Sequence, residues 1–226
     1  MKAMTMVVSA DGGRALRGDI MQIELNYPDP VPIELDPSKT LLLVVDMENE
    51  DAHPSGKRFA GQAVTRIIPN IARLRRKVRQ SGGSVVHTQS VRKPDALEFT
   101  VFNNAIRKIE GTWGAEFVDE LRPEADEPIV VKYTHDCFYR TEMESVLEGF
   151  NLRPGDARII VTGISSRSCV QCAVTGFSIR SYYVYVPIDC TGQREEEEKL
   201  QAFSLFASFA YRYNVTVTRS DLIQFS

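Results

Sequence analysis

Three apolar runs in this chain lead into residues that can do covalent chemistry. Leu41-Leu42-Leu43-Val44-Val45 is followed at once by Asp46, and Pro128-Ile129-Val130-Val131 by Lys132. Ile159-Ile160-Val161-Thr162-Gly163 is followed six residues later by Cys169, where a helix is expected to begin. The first N–H groups of a helix have no internal partner, and the macrodipole adds positive potential, so a thiol there is biased toward thiolate. In an open parallel sheet, function gathers outside the carboxyl ends of the strands. Asp, Lys and Cys delivered to one such edge form a chemical set. Asp46 can take the thiol proton, Lys132 can orient that carboxylate, and Cys169 can attack. The plainer alternative is an Asp–Lys ion pair at a sheet edge beside a helix-capping segment. It accounts for the charges but not for the thiol.

Positioning these groups requires strands alternating with helices. Val64, Ile67, Ile68, Ile71, Leu74 and Val78 fall at helical spacing and end near Ser81-Gly82-Gly83, with Pro69 expected to kink that helix or open its main part. Ser84-Val85-Val86-His87 reads as the second strand, and Tyr183-Val184-Tyr185-Val186 and Asn214-Val215-Thr216-Val217 as the fifth and sixth. Thr141-Glu142-Met143-Glu144 has the form of a capping box. Glu195 to Glu198 opens a later helix whose apolar face is Leu200, Phe203, Phe206, Ala207 and Ala210. This alternation marks an α/β fold with a doubly wound, mostly parallel sheet. Residues 1–36 read as an N-terminal extension to a domain spanning 37–226. Tyr27-Pro28-Asp29-Pro30-Val31-Pro32 must be extended there, against the domain surface or a neighbouring subunit.

Four segments resemble the motifs of one family, the isochorismatase-like hydrolases, and within it the cysteine amidohydrolases. Asp46-Met47-Glu48-Asn49 is similar to D-x-Q-N-D-F, and Gly111-Thr112-Trp113-Gly114-Ala115-Glu116 to G-T-P-G-A-E. Lys132 through Phe138 to Thr141 resembles K-x-x-x-x-x-F-x-x-T, and Thr162-Gly163-Ile164 through Cys169-Val170 resembles T-G-V-x-T-x-x-C-V. The resemblance implies a six-stranded sheet flanked by helices and a triad of Asp46, Lys132 and Cys169. It implies attack by Cys169 on an amide, ureide or carbamoyl carbonyl, a thioester, and its hydrolysis by water. It implies a cis peptide between Ile164 and Ser165, aiming backbone N–H groups of Ser165 and Cys169 into an oxyanion hole. Family members that act on vinyl ethers lack the cysteine, so C–N hydrolysis is favoured here. A vinyl-ether hydrolase and a catalytically inactive scaffold are the alternatives.

The departures from the motifs bear on the substrate. Glu48 stands where the family has Gln, and Glu50-Asp51 where it has Asp-Phe, which points to a more polar or cationic substrate unless Asp51 is merely solvated. Trp113 replaces a proline and either narrows the pocket or packs on the surface. His135, Phe138 and Tyr139 flank the lysine motif and are expected to line the site with Glu48, Asp51 and Trp113. Arg167 can hold a substrate carboxylate, or pair with a neighbouring acid. The stretch His87-Thr88-Gln89-Ser90 lacks the Asp-x-His pair with which nicotinamidase-like members hold a metal. The other histidines, His53 and His135, share no ligand spacing with it, so neither metal nor cofactor is expected.

Composition agrees. A net charge of −3 over 226 residues, with no basic stripe, argues against a nucleic-acid partner. No stretch approaches the roughly 18 apolar residues of a membrane span. The N-terminal apolar run is cut by Asp11-Gly12-Gly13-Arg14, too short for a secretory signal. A cytoplasmic homo-oligomer, dimer or tetramer, acting on a small molecule is expected. The four cysteines suit a reducing compartment. Cys169 and Cys172 form a C-x-x-C, but a redox pair would leave Asp46 and Lys132 unexplained. Cys172 is expected against the sheet, Cys137 near the pocket, and Cys190 in a structural role.

Overall fold

In this computed structural model the structure describes residues 2–8, 21–27, 29–102 and 106–226; at 2–8, 21–27, 196–197 and 207–213 the description is of the backbone alone. Elements are numbered in chain order. Strands β1 (Lys2–Val8), β2 (Met21–Tyr27) and β3 (Ile33–Leu35) precede β4 (Thr40–Val45). Helices α1 (Asn49–Ala52) and α2 (Gln62–Gln80), strand β5 (Ser84–Ser90), helix α3 (Leu97–Thr100) and strand β6 (Ile129–Lys132) follow. The second half runs α4 (Met143–Gly149), β7 (Arg158–Ile164), α5 (Cys169–Ile179), β8 (Tyr183–Pro187), β9 (Thr191–Gly192), α6 (Glu196–Tyr213), β10 (Val215–Thr218) and β11 (Ile223–Phe225).

The main sheet has the order β10-β8-β7-β4-β5-β6, with β9 added to the end of β7, and its described pairings are parallel. Strand β4 lies at the centre and is buried along its whole length. Because strand side chains alternate, Leu41, Leu43 and Val45 face one core with Phe177 of α5 and Phe203 and Phe206 of α6. Leu42 and Val44 face the other, with Ile67, Ile71 and Leu74 of α2. A strand buried on both faces reads as a continuous apolar run, as Leu41 to Val45 does.

Register places the strand ends together. Val45 pairs with Thr88 of β5 and Gly163 of β7, and Ser90 of β5 pairs with Lys132. Gly163 has φ +101°, and a Cβ there would lie 2.1 Å from the Val45 carbonyl oxygen. Only glycine permits this approach of β7 to the end of β4, one residue before Asp46.

Several local expectations need correcting. Helix α2 runs unbroken through Pro69. Pro69 and Thr65 are both on the exposed face, so the Thr65 carbonyl left without a donor faces water while the buried face keeps its packing. The Thr141 segment is not a capping box: α4 takes Glu142 as its N-cap without a side-chain bond, and the Thr141 hydroxyl accepts from Met143 N–H at 3.3 Å. Glu144 instead pairs with Arg180 at 3.2 Å. The segment read as an extension carries structure of its own: β1 and β2 pair antiparallel, and β3 pairs in parallel with β11 near the C-terminus. Pro28 and the side chains of Ala207 and Ala210 lie outside the described residues. Among the described residues, no helix is long and apolar enough to cross a membrane.

Candidate active site

Asp46 is the first residue beyond β4 and takes φ +52°, turning its carboxylate under the sheet edge, where it is 1 % exposed. Its Oδ2 accepts from Lys132 Nζ at 2.7 Å and its Oδ1 from the Thr88 hydroxyl at 2.6 Å. Lys132, fully buried at the end of β6, also donates to the Thr134 carbonyl at 3.0 Å. Burial opposes the Asp46 charge, but Lys132 and the bonds it receives hold its carboxyl below the ordinary range. Lys132 is correspondingly kept charged against its own burial by Asp46.

Cys169 is the first residue of α5. The turn before it is pinned by Gly192 of β9, whose carbonyl accepts from the Ser166 N–H at 2.9 Å and hydroxyl at 3.0 Å. The Ile164–Ser165 peptide is cis. The N–H groups of Ser168 and Val170 donate to the Ser165 carbonyl, and that of Arg167 to Gln193. Those of Ser165 and Cys169 have no such partner among the described residues. The thiol lies close enough to Asp46 to feel its charge, and 3.1 Å from His135 Nδ1. Burial first, then the Asp46 charge, pushes the thiol pKa up to about 12, so the helix-end bias toward thiolate is outweighed here.

These groups line one cavity of about 110 Å³. Its floor holds Asp46, Cys169, Ser165 and Ile164; its walls hold His135, Ser90 and Asp51 with Arg58, Arg92, Arg107 and Lys108. None of the four wall cations was expected from the sequence. Lys108 Nζ binds Glu48 at 2.7 Å and Asp51 at 2.6 Å, and Arg58 is 3.6 Å from Asp51. Arg92 pairs with Glu98 and donates to the Ser90 hydroxyl at 3.1 Å, while Arg107 is 3.5 Å from Glu98.

The expected lining set is therefore redrawn. Asp51 and His135 line the cavity, but Asp51 is neutralised by cations, so an acidic wall for a cationic substrate is not what forms. Glu48 is fully buried behind the wall, accepting from Ser90 N–H at 2.6 Å as well as from Lys108. Burial, against the pull of Lys108, raises its carboxyl to about 7. Trp113 is 47 % exposed, with its ring edge-on to His53, and is not a wall. Phe138 packs edge-on against Phe177 in the core and borders a separate surface groove with Arg180. Tyr139 is exposed with Arg140 over its ring, because the chain turns outward after Phe138. Arg167 is exposed and paired with Glu198 at 2.9 Å, the alternative given for it above. Cys137 is buried in the same core cluster as Cys169 and does not line the cavity. Cys172 is half-buried, on a side of α5 that Asp136 faces, rather than against the sheet. Cys190 is in the α2-side core.

Among the described residues, no group of three or more His, Cys, Asp or Glu side chains is placed to hold a metal ion. His87 is buried against Glu127, His53 sits on Trp113, and His135 on Cys169.

Comparison with known proteins adds the following. The isochorismatase-domain family model matches residues 40–220. The chain is 30% identical over 191 residues, 74% of this chain and 72% of the relative, to ureidoacrylate amidohydrolase RutB of Methylobacterium radiotolerans. Among solved structures it is similar to an isochorismatase-like hydrolase from Alkaliphilus metalliredigens, with TM-score 0.72 and 26% identity over 81% of this chain and 96% of the other. It is also similar to N-carbamoylsarcosine amidase from Thermoplasma acidophilum, with TM-score 0.67 and 26% identity over 81% of this chain and 97% of the other.

Proposed function

From the premise that this chain belongs to the isochorismatase-domain family, we propose that it is a hydrolase of a carbon–nitrogen bond in a small amide, ureide or carbamoyl compound that carries an anionic group. The observation that carries this is one cavity lined by Asp46, a thiol and a group of cations, with Lys132 paired to Asp46 behind it. Relatives that cleave a ureidoacrylate and an N-carbamoylsarcosine support the bond type.

Asp46 is the base, Cys169 the nucleophile, and Lys132 the group that keeps Asp46 ionised and aimed. As the thiol proton passes to Asp46, sulfur bonds to the carbonyl carbon. The high thiol pKa belongs to a thiol beside an ionised Asp46. Transfer removes that charge as the thiolate forms, and leaves the thiolate beside Lys132. The carbonyl oxygen becomes an oxyanion, received by the N–H groups of Ser165 and Cys169, the two donors of the turn that other bonds leave over. Such a donor is worth about 3–4 kcal/mol in related acyl transfers. Collapse breaks the C–N bond, Asp46 gives its proton to the leaving nitrogen, and a thioester on Cys169 remains for water.

The wall sets the substrate's charge. The described cavity lining carries the cations Arg58, Arg92, Arg107 and Lys108 and the acids Asp46 and Asp51. Glu48, with its carboxyl near 7, is partly protonated at neutral pH. The surplus is positive, and a carboxylate presented to Arg92 and Arg107 offsets it. The cavity volume restricts the ligand to a small molecule.

The test is ammonia release from a panel that includes ureidoacrylate, N-carbamoylsarcosine and uncharged analogues of each, with pyruvate release from isochorismate as the vinyl-ether control. Carboxylate-bearing ureides should be cleaved best, and Cys169→Ala should abolish turnover. Arg92→Gln should raise KM about tenfold or more for the charged substrates and little for the uncharged ones, the loss expected of one charge-assisted bond. Turnover of isochorismate, or full activity in Cys169→Ala, would overturn the proposal.

A further inference from the structure

The thiol has two partners, and they differ in access to water. Asp46 is 1 % exposed, and both its oxygens are engaged, by Thr88 and Lys132. His135 lies at the cavity mouth as an exposed residue, on the loop between β6 and α4, with Nδ1 3.1 Å from Cys169 Sγ. A base serving the departure of an amine must reach the leaving nitrogen from within the cavity. A base serving hydrolysis must touch both the thioester and a water molecule arriving from outside.

We infer that His135 is a second catalytic residue, the base that activates water against the thioester. The inference rests on the thioester reading above. In the resting site, Nδ1 accepts the thiol hydrogen bond or competes for it with Asp46. Once sulfur is acylated it has no proton to donate, and the Nδ1 lone pair is released beside the carbonyl carbon. Water then adds: its oxygen bonds to that carbon while its proton passes to Nδ1. The tetrahedral adduct breaks its C–S bond, and the imidazolium returns the proton to the sulfur. Acid and free thiol result, with no other reactant required.

The surroundings keep this imidazole uncharged. Partial burial first, and then Lys132, Arg92 and Arg107, lower its pKa below the usual histidine value, against the opposing charge of Asp46. Lys108, Arg58 and Asp51 complete the charged groups of the cavity. At neutral pH the ring is therefore uncharged before water arrives.

The experiment separates the two halves of the cycle with 4-nitrophenyl acetate, which acylates a reactive thiol and reports each acylation as 4-nitrophenolate. The full chain should release a burst of about one nitrophenolate per molecule, followed by a slower steady phase. In His135→Gln the burst should keep its amplitude and stay within about threefold in rate. The steady phase should fall about 10²-fold or more, the span of a positioned base, and mass spectrometry should find acetyl on Cys169. Hydroxylamine, which needs no base to attack a thioester, should restore turnover to His135→Gln. Equal clearance of acetyl-Cys169 from both proteins would overturn this inference alone. So would equal slowing of burst and steady phase. A full chain that forms no acetyl-Cys169 would remove the thioester reading, and this inference with it.

Discussion

Neutralising one or both members of the Asp46–Lys132 pair should move stability and activity in different ways. Lys132 Nζ lies 2.7 Å from Asp46 Oδ2, and the two side chains are 0% and 2% exposed. In Asp46→Asn the lysine keeps the Thr134 carbonyl but loses its counter-charge. In Lys132→Met the carboxylate keeps the Thr88 hydroxyl and the more distant charge of Lys108. Leaving one buried charge unpaired costs about 3–5 kcal/mol, whereas removing both partners of a buried pair is often close to neutral. Each single variant should therefore lose about 3 kcal/mol in urea unfolding at pH 7. The double variant should be no less stable than the milder single, a coupling of about 3 kcal/mol or more. Lys132→Met should regain part of its loss as pH falls, because its Asp46 can escape by protonation. Activity follows another rule. Each single should slow acylation, read as the nitrophenolate burst, by about 10²–10⁴-fold, and the double should stay as slow as the poorer single. A pair with only a structural role would regain activity along with stability. Recovery of the burst in the double variant would refute the catalytic assignment. Strictly additive stability losses would refute the charge pairing.

Glu127 tests the approach to β6, beside the middle of β5, where His87 and Arg75 bind its carboxylate at 2.8 and 2.6 Å. Burial would raise its pKa, but those bonds outweigh it and hold the group at about 2 against an ordinary 4.5. The resulting stabilisation is up to about 3 kcal/mol, present above pH 4.5 and lost as pH falls toward 2. Glu127→Gln should lose most of it at pH 7, and the gap between the two urea midpoints should close on acidification; a gap independent of pH would refute this. Activity should also survive exhaustive chelation, because the described histidines do not converge. Loss of activity that is restored by one metal ion per chain would refute that.

Asp46 and Cys169 were legible as candidates because β4 and β7, which lead to them, are buried on both faces, whereas Lys132 ends the edge strand β6, where Ile129 and Val131 are exposed. Strands buried on both faces are written as runs of Leu, Val and Ile, and the residue after each is delivered to the sheet edge whatever the loops do. The register of β4 with β5 and β7 then brings Asp46, Lys132 and the Cys169 turn together. The same logic fails for side chains that depend on a single turn. Thr141 and Glu144 have the spacing of a capping box, yet the helix starts one residue later because Thr141 is drawn to the Cys137 carbonyl. Phe138 and Tyr139 are adjacent in sequence and were read as one wall. Only Phe138 turns inward, and it meets Phe177 rather than the cavity.

The wall was hidden for a further reason: its charge is a property of pairings between residues far apart in the chain. Asp51 read alone is an acid beside the motif, and it pointed to a cationic substrate. Lys108 lies 57 positions further on, takes φ +46°, and contacts both Asp51 and Glu48. Glu48 in the place of a glutamine needs such a partner, since a buried carboxylate without one would simply hold its proton. The departure from the motif thus implied a cation, but no spacing rule names which lysine or arginine a loop will return. Lys108 and Arg58 meet the acids on that side, while Arg92 and Arg107 both reach Glu98 from the other, so the lining carries more cations than acids. On the proposed reading, the strands fix which atoms react, while the loop segments that carry Arg58, Arg92, Arg107 and Lys108 fix what charge a substrate must bring. Relatives that keep the strands and exchange these loops should share the chemistry and differ in substrate.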